Sequence, residues 1–243
     1  IYDLYPDIDI SKDNEYIFKN TCLRGYSEIV EWLYSVKPDI NISIENNKIF
    51  LLTCEAGHLD IAQWLLKIKP DINVNEDNNF AFRYSCLNGF IDVCKWLLEI
   101  SPEIDISYNN EEAFRLAAIN GCLWICKWLL EIKPDINISI ENDIIFHSVC
   151  ENGKLEVAIW LLEKKPDIDI SGNDEHAFKF SIRNMYLDVA QWLYCIKPDI
   201  NVAADNHYAF NTACIYNYID TAEWFVNIKP DLYFIEIEDD EII

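Results

Sequence analysis

The chain has 243 residues, of which 51 % are apolar and 14 % aromatic, enough for a continuous hydrophobic core and too many for a disordered chain. Its 42 acidic and 19 basic residues give a net charge of −23, which disfavours binding to nucleic acid or anionic lipid, because both attract basic surfaces. The acidic surface either suits a protein partner with a basic segment or serves only to keep the chain in solution. We therefore expect no contact with nucleic acid or a membrane.

A period of 32 residues runs through the chain without insertion or deletion. Every proline lies on it, from Pro6 to Pro230, and so do seven of the eight tryptophans, from Trp32 to Trp224. Such a period indicates stacked repeats that share one core. The predicted repeats are residues 7–38, 39–70, 71–102, 103–134, 135–166, 167–198 and 199–230. Residues 1–6 are interpreted as the end of a preceding repeat, and residues 231–243 as an acidic C-terminal cap or tail.

Each repeat begins with a predicted extended finger, as in residues 39–43, where Ile alternates with polar residues. A turn follows, with an Asn or Asp such as Asn46 at the position where positive φ is expected. The first helix is predicted over about residues 48–55, and Gly57 suits the left-handed residue that closes it. The second helix, over about residues 59–68, places its apolar residues on one stripe and ends at a Lys-Pro pair.

The apolar stripes predict which side chains fill the core. We expect the tryptophans of the period, Trp128 among them, to be buried between repeats, each removing roughly 200 Å² from water. The nine cysteines show no disulfide framework, and five share one position of the repeat. This pattern is typical of small buried thiols in a reducing compartment, and we expect a cytoplasmic protein. The five are Cys22, Cys54, Cys86, Cys150 and Cys214.

Three segments of the repeat resemble those of a known family. Glu112–Ala118, Glu-Ala-Phe-Arg-Leu-Ala-Ala, stands where ankyrin repeats have Thr-Pro-Leu-His-Leu-Ala-Ala. Gly57–Ile61, Gly-His-Leu-Asp-Ile, matches the start of their second helix, and Asp71–Val74, Asp-Ile-Asn-Val, matches their Asp-Val-Asn-Ala. The resemblance covers nearly all of residues 7–230. It implies an all-α repeat solenoid, with a helix-turn-helix plus an extended finger or β-hairpin loop in each repeat, in a single elongated curved array.

The sequence departs from the family pattern in several ways. The period is 32 and not 33, Trp replaces a Leu of the second helix, and Lys-Pro replaces the Gly-Ala that ends it. In this form the repeat is similar to those in the ankyrin arrays of giant DNA viruses. A tetratricopeptide array also has a proline at a repeat boundary, but its helices abut with no finger between them. The alternating Ile and Val residues therefore favour the ankyrin interpretation.

No catalytic, cofactor or metal site is predicted. The four histidines occupy different positions of the repeat and have no metal-ligand spacing, and Cys122 and Cys126 lack the further pair that zinc needs. The sequence has no glycine-rich phosphate loop and no nucleophile elbow. A residue type that recurs in every repeat serves the architecture, so a functional residue should lie at a position that varies. We therefore expect a binding protein and not an enzyme.

By the same resemblance, the finger tips and the exposed side of the first helix are expected to line a concave face and to contact partners. The varying residues there are acidic or apolar, a mixture that suits a protein interface, although packing between neighbouring fingers is an alternative. Trp124, the one tryptophan outside the period, is expected to be at least partly exposed, either as a binding residue or packed on its neighbours. The predicted partner-binding residues are Ile44, Glu76, Asn79, Leu87, Tyr108, Glu111, Ile119, Ile140, Asp143, Glu151, Glu175, Arg183 and Trp124.

The function that follows is a non-catalytic scaffold or adaptor for protein–protein interaction, which acts as a monomer and needs no cofactor. The alternative is a structural or virion-assembly protein whose repeats pack between copies. A size measurement in solution distinguishes the two, because the assembly protein grows with concentration and the monomeric adaptor does not.

Overall fold

The computed structural model describes residues 12–42 and 44–233, and the side chains of residues 12–15 and 44–46 lie outside that description. The predicted end of a preceding repeat and most of the predicted C-terminal cap therefore also lie outside it. The chain divides into two compact units, which we call unit 1, up to Ile136, and unit 2, from Asn137 onward.

Helix pairs recur along the chain at the 32-residue period. Within the described residues there are fifteen helices and no strand, so the predicted all-α repeat fold is confirmed. The pairs of unit 1 are α1 (Lys12–Leu23) and α2 (Ser27–Val36), α3 (Ile44–Glu55) and α4 (Leu59–Ile68), α5 (Glu76–Asn88) and α6 (Ile91–Ile100), and α7 (Tyr108–Asn120) and α8 (Leu123–Ile132). Those of unit 2 are α9 (Ile140–Glu151) and α10 (Leu155–Lys164), α11 (Gly172–Arg183) and α12 (Leu187–Ile196), and α13 (Ala204–Ile215) and α14 (Ile219–Ile228), followed by the short α15 (Pro230–Tyr233).

Local chemistry sets the bounds of the second helices. In α4, Asp60 lies in the first turn, where its charge meets the positive end of the helix dipole. At the other end, the N–H of Lys69 donates to the carbonyl of Leu65 over 2.9 Å, and Pro70 has no N–H with which to continue the helix. The helix therefore covers the predicted residues 59–68.

The finger that joins two repeats is closed by turns. In the finger before α5, the N–H of Glu76 donates to the carbonyl of Asn73 over 3.3 Å. The N–H of Asn75 donates to the side-chain oxygen of the same Asn73 over 3.1 Å. These bonds satisfy backbone groups that a strand partner would otherwise pair. Of the two expected forms, an extended finger or a β-hairpin loop, the part of the chain that the structure describes therefore has a finger without strand pairing.

Three consecutive residues at the start of the first helix are left-handed. In α5 they are Asp77, Asn78 and Asn79, with φ of 49°, 54° and 64°. Positive φ is confirmed for the central residue, and both neighbours share it. Regular right-handed helix begins only after Asn79, which agrees with the predicted start near residue 48 in the preceding repeat. Asn and Asp are the residues besides Gly that adopt this conformation most readily.

The predicted left-handed residue after the first helix is confirmed. Gly57 has φ of 81°, and a Cβ added to it would lie 2.5 Å from the ring of Phe90. In the last two predicted repeats, Met185 with φ of 68° and Asn217 with φ of 59° take the place of glycine. These two positions hold a conformation that glycine adopts at lower energy.

Replacing Met185 by glycine should therefore stabilise unit 2. The Met185 side chain is 65 % exposed, so its loss removes little packing, whereas left-handed backbone costs an L-residue about 1–2 kcal/mol. Because glycine also loses more entropy on folding, we expect a net gain of about 0.5–1 kcal/mol in the free energy of unfolding, measured by urea denaturation. Met185→Ala removes the side chain but keeps the strain. An equal gain in that control would contradict the explanation.

Phenylalanines form the centre of the core and tryptophans its edge. Trp128 and Trp160 are buried, at 9 % and 6 % exposure, but Trp32 is 46 % exposed and the other tryptophans of the period are half-buried. The expectation that all of them are buried is wrong. The indoles lie against phenylalanines of the preceding repeat but are covered to different extents. Phe82 and Trp128, for example, lie with ring centroids 6.5 Å apart. The fully buried phenylalanines are Phe18, Phe50, Phe82, Phe114, Phe146 and Phe178, which follow the period, and Phe225 in α14.

The shared cysteine position is also buried in most repeats. Cys22, Cys54, Cys86 and Cys150 are free, buried thiols, as predicted. Cys214 is exposed, which corrects the prediction for that repeat. No further helix pair follows α14 in the described part of the chain to cover it.

Candidate partner-binding surface

The acidic residues that end the left-handed turns are buried. Glu111, Asp143 and Glu175 are 8 %, 7 % and 8 % exposed, so the expectation that they face solvent is wrong. One carboxylate oxygen of Asp143 accepts the backbone N–H of Asp169 over 3.0 Å, and one of Glu175 accepts that of Asn201 over 3.1 Å. These two carboxylates tie one finger to the next. The alternative of packing between neighbouring fingers therefore accounts for their position.

Other residues at this position also make local bonds. A carboxylate oxygen of Glu111 accepts a hydrogen bond from the hydroxyl of Ser107 over 2.7 Å. Asn79, the equivalent residue of α5, is half-buried, and its N–H donates to the carbonyl of Asn75 over 3.2 Å. The ammonium of Lys165 lies 3.9 Å from Asp143, which offsets part of the cost of burying that charge.

A buried guanidinium that the sequence analysis did not single out supports the turn of α5. Arg83 donates to the carbonyls of Asn78 and Asp77 over 3.0 and 2.9 Å. Its third nitrogen lies 2.7 Å from Glu112. The guanidinium also lies 5.5 Å from the ring centre of Tyr108, and this ring is half-buried. The signal in the sequence that could have identified Arg83 is a long polar side chain at this position in most repeats.

The remaining predicted finger residues are partly accessible. Glu76 is half-buried and accepts a hydrogen bond from the side chain of Asn73 over 2.9 Å. Ile140 is half-buried, whereas the side chain of Ile44 lies outside the described residues. On the neighbouring finger, hydrogen bonds from Ser101, the backbone and Asn75 hold the pKa of Glu103 below its usual value. The carboxylate of Glu103 therefore keeps its negative charge to lower pH than an isolated glutamate.

Unit 1 carries a row of half-buried apolar side chains on its first helices. Phe80, Tyr84 and Leu87 share one face of α5, because they are four and three residues apart. The rings of Phe80 and Tyr84 are stacked, with centroids 4.1 Å apart. Leu87 and Ile119 were predicted, and the aromatic pair was missed although its spacing of four residues was readable. The first-helix surface of unit 1 consists of Leu52, Phe80, Tyr84, Leu87, Leu116 and Ile119.

In unit 2 the predicted residues Glu151 and Arg183 both contact an aromatic pair. A carboxylate oxygen of Glu151 lies 3.3 Å from the imidazole of His176, which stacks on Phe180 at 4.2 Å. The exposed guanidinium of Arg183 lies 5.4 Å from the centre of the Phe180 ring. This surface is more polar than its counterpart in unit 1, and sequence reasoning also missed its two rings.

Trp124 is both exposed and packed on its neighbour. Its side chain is 53 % exposed, and its indole N–H donates to the carbonyl of Gly89 over 2.9 Å. At three other glycines the covering ring belongs to the residue two positions before the equivalent of Trp124: His58 covers Gly25, Phe90 covers Gly57 and Tyr186 covers Gly153. Here that earlier position holds the small Cys122, so Trp124 supplies the covering ring.

The described residues contain no group of three or more His, Cys, Asp or Glu side chains arranged to hold a metal ion. Among the helices of those residues, none is long and apolar enough to cross a membrane.

Comparison with known proteins bears on this architecture directly. A family model described as ankyrin repeats in three copies matches residues 18–110, 50–142 and 114–204. The matches together extend over most of the chain and include both helices of several pairs. No curated protein matches the chain.

Proposed function

Because the chain belongs to the ankyrin-repeat family, whose repeats generally mediate protein–protein interaction and are typically non-catalytic, we propose that it is a scaffold that binds a protein partner. The binding surface is the first-helix surface of unit 1 together with the adjoining finger tips. The protein acts there as a monomer, without catalysis.

The observation that carries this proposal is the partial exposure of the stacked Phe80 and Tyr84 beside Leu87. Half-buried aromatic and apolar side chains on one face are typical of residues that contribute most to protein binding. Exposed carboxylates border the same unit at its fingers, among them Asp77, Glu103 and Asp105. An apolar segment flanked by lysine or arginine is the partner that complements both features.

We place this interaction in the cytoplasm, or in the host cytoplasm if the chain is viral, as the form of its repeat suggests. Nine free cysteines, several of them buried between helices, fit a reducing compartment best.

The proposal is tested by affinity capture from an extract of the cell that makes the protein, with mass spectrometry of the bound material. The wild-type chain is compared with Leu87→Ser/Ile119→Ser, which makes the first-helix surface of unit 1 more polar. We expect the double variant to retain a direct partner at least about tenfold less well, since each side chain at the centre of an interface contributes more than about 1 kcal/mol.

The matched control is Lys95→Ser/Lys127→Ser, which changes two exposed residues on the second helices of the same unit. Both variants are first shown to unfold at the temperature of the wild type. A partner that the first variant keeps and the lysine variant loses would place binding on the second helices and reject the proposal.

A further inference from the structure

Two buried thiols touch each other inside the repeat of residues 71–102. The sulfur atoms of Cys86 in α5 and Cys94 in α6 lie 3.5 Å apart, and neither side chain is exposed. Their distance is that of a weak thiol hydrogen bond, and it is about 1.5 Å longer than a disulfide bond. The two sulfurs must therefore approach each other by about 1.5 Å to form a disulfide.

This contact follows from the repeat itself. The positions of Cys86 and Cys94 face each other wherever the first helix of a pair packs on the second. In the other repeats at least one of the two is not cysteine. The equivalent pairs are Cys22 and Val30, Cys54 and Ala62, Ala118 and Cys126, Cys150 and Ala158, Ile182 and Ala190, and Cys214 and Ala222. One repeat of the seven thus has both sulfurs.

We propose that Cys86 and Cys94 form an oxidation site, at which a low-molecular-weight disulfide converts the two thiols into an intrachain disulfide that joins α5 to α6. The thiolate of one cysteine attacks a sulfur of the reagent, forming a mixed disulfide and releasing one thiol. The thiolate of the second cysteine then attacks the sulfur of the first and releases the other thiol. The reagent gains the two electrons and two protons that the cysteines lose. This site does not depend on the proposed partner.

Burial determines how the reaction starts. Removal from water raises the pKa of the Cys86 thiol, and the neighbouring Cys94 raises it further. The thiol therefore stays protonated and unreactive while the helix pair is closed. Reaction begins when α5 and α6 separate locally, and the contact that re-forms on closing determines which second thiol completes the exchange.

The test uses two tryptic peptides of equal length. Cleavage after Arg83 and Lys95 releases residues 84–95, which contain Cys86 and Cys94 and no other cysteine. Cleavage after Arg115 and Lys127 releases residues 116–127, which contain Cys122 and Cys126. The folded full chain is incubated with oxidised glutathione, and its remaining free thiols are alkylated in denaturant. The chain is then digested with trypsin, and the peptide masses are measured by mass spectrometry. We expect peptide 84–95 to lose two hydrogens and to carry no alkyl group, in a fraction at least about fivefold larger than peptide 116–127.

The matched variant is Cys94→Ala, which places in this repeat the alanine that four other repeats have at the position, Ala62, Ala158, Ala190 and Ala222. It should fold normally, and its peptide 84–95 should carry glutathione or an alkyl group on Cys86 instead of an internal disulfide. The exposed Cys195 reports that the reagent is active. Glutathionylation of Cys195 without an internal disulfide in wild-type peptide 84–95, or equal oxidation of the two peptides, would overturn the proposal.

Discussion

Replacing Trp128 by alanine should lower the free energy of unfolding by about 3–5 kcal/mol. The side chain is 9 % exposed, and its ring centroid lies 6.5 Å from that of the fully buried Phe82 of the preceding repeat. Removing the indole leaves a cavity between two repeats and takes away an aromatic neighbour of Phe82. Urea denaturation followed by far-ultraviolet circular dichroism measures the loss without relying on tryptophan fluorescence.

Trp32 provides the matched control, because it occupies the same position of the repeat but is 46 % exposed. Trp32→Ala removes an identical group from a site with much less packing around it. We expect less than half the loss that Trp128→Ala shows. Equal losses in the two variants would mean that the interface between repeats does not determine the contribution of the indole.

Replacing Gly57 by alanine should destabilise unit 1 by about 2–5 kcal/mol. Its φ of 81° alone costs an L-residue about 1–2 kcal/mol. The added methyl group would also lie 2.5 Å from the ring of Phe90, and relieving such a contact typically costs a further amount of about 1–3 kcal/mol. Thermal and urea unfolding of the single variant measure the sum.

The two contributions separate in a double-mutant cycle. In a Phe90→Ala background the ring that meets the new methyl group is gone, so Gly57→Ala should then cost only the backbone part, about 1–2 kcal/mol. If the cost of Gly57→Ala is the same in both backgrounds, the ring of Phe90 does not restrict this turn.

The helices were predictable because their signals are local. Helix α4 covers residues 59–68, as the sequence predicted. Three local features determine these bounds: an acid at the start, an apolar stripe along the helix and a proline after its end. Gly57 was equally predictable, because a left-handed residue after a helix calls for glycine. The resemblance to the ankyrin family then predicted that the helix pairs stack side by side.

The fingers were less predictable because their support comes from distant residues. The turn of α5 depends on the guanidinium of Arg83, five or six residues later in the chain. The finger at Asp169 is held by Asp143, 26 residues earlier. The side chains that make these bonds recur in several repeats, but their spacing does not say which backbone groups they bond, whereas alternating Ile residues suggested an extended strand.

The candidate surface was predicted correctly only for its residues in regular helix. Leu87 and Ile119 lie in regular helix, where spacing predicts the exposed side, and both are partly exposed. Glu111, Asp143 and Glu175 follow left-handed residues and are themselves left-handed. Helical spacing therefore gave the wrong direction for their side chains, and they point into the protein.

The ring that Trp124 places over Gly89 limits how this gene can change. Cys122 and Trp124 both differ from the residues at their positions in neighbouring repeats. The small Cys122 leaves room beside Gly89 for the indole of Trp124, and the indole covers the glycine that a ring at position 122 would otherwise cover. Restoring a large ring at 122 alone would crowd Trp124, and restoring an acid at 124 alone would uncover the carbonyl of Gly89. Recombination between such similar DNA segments should therefore be tolerated here only when both codons are exchanged in one event.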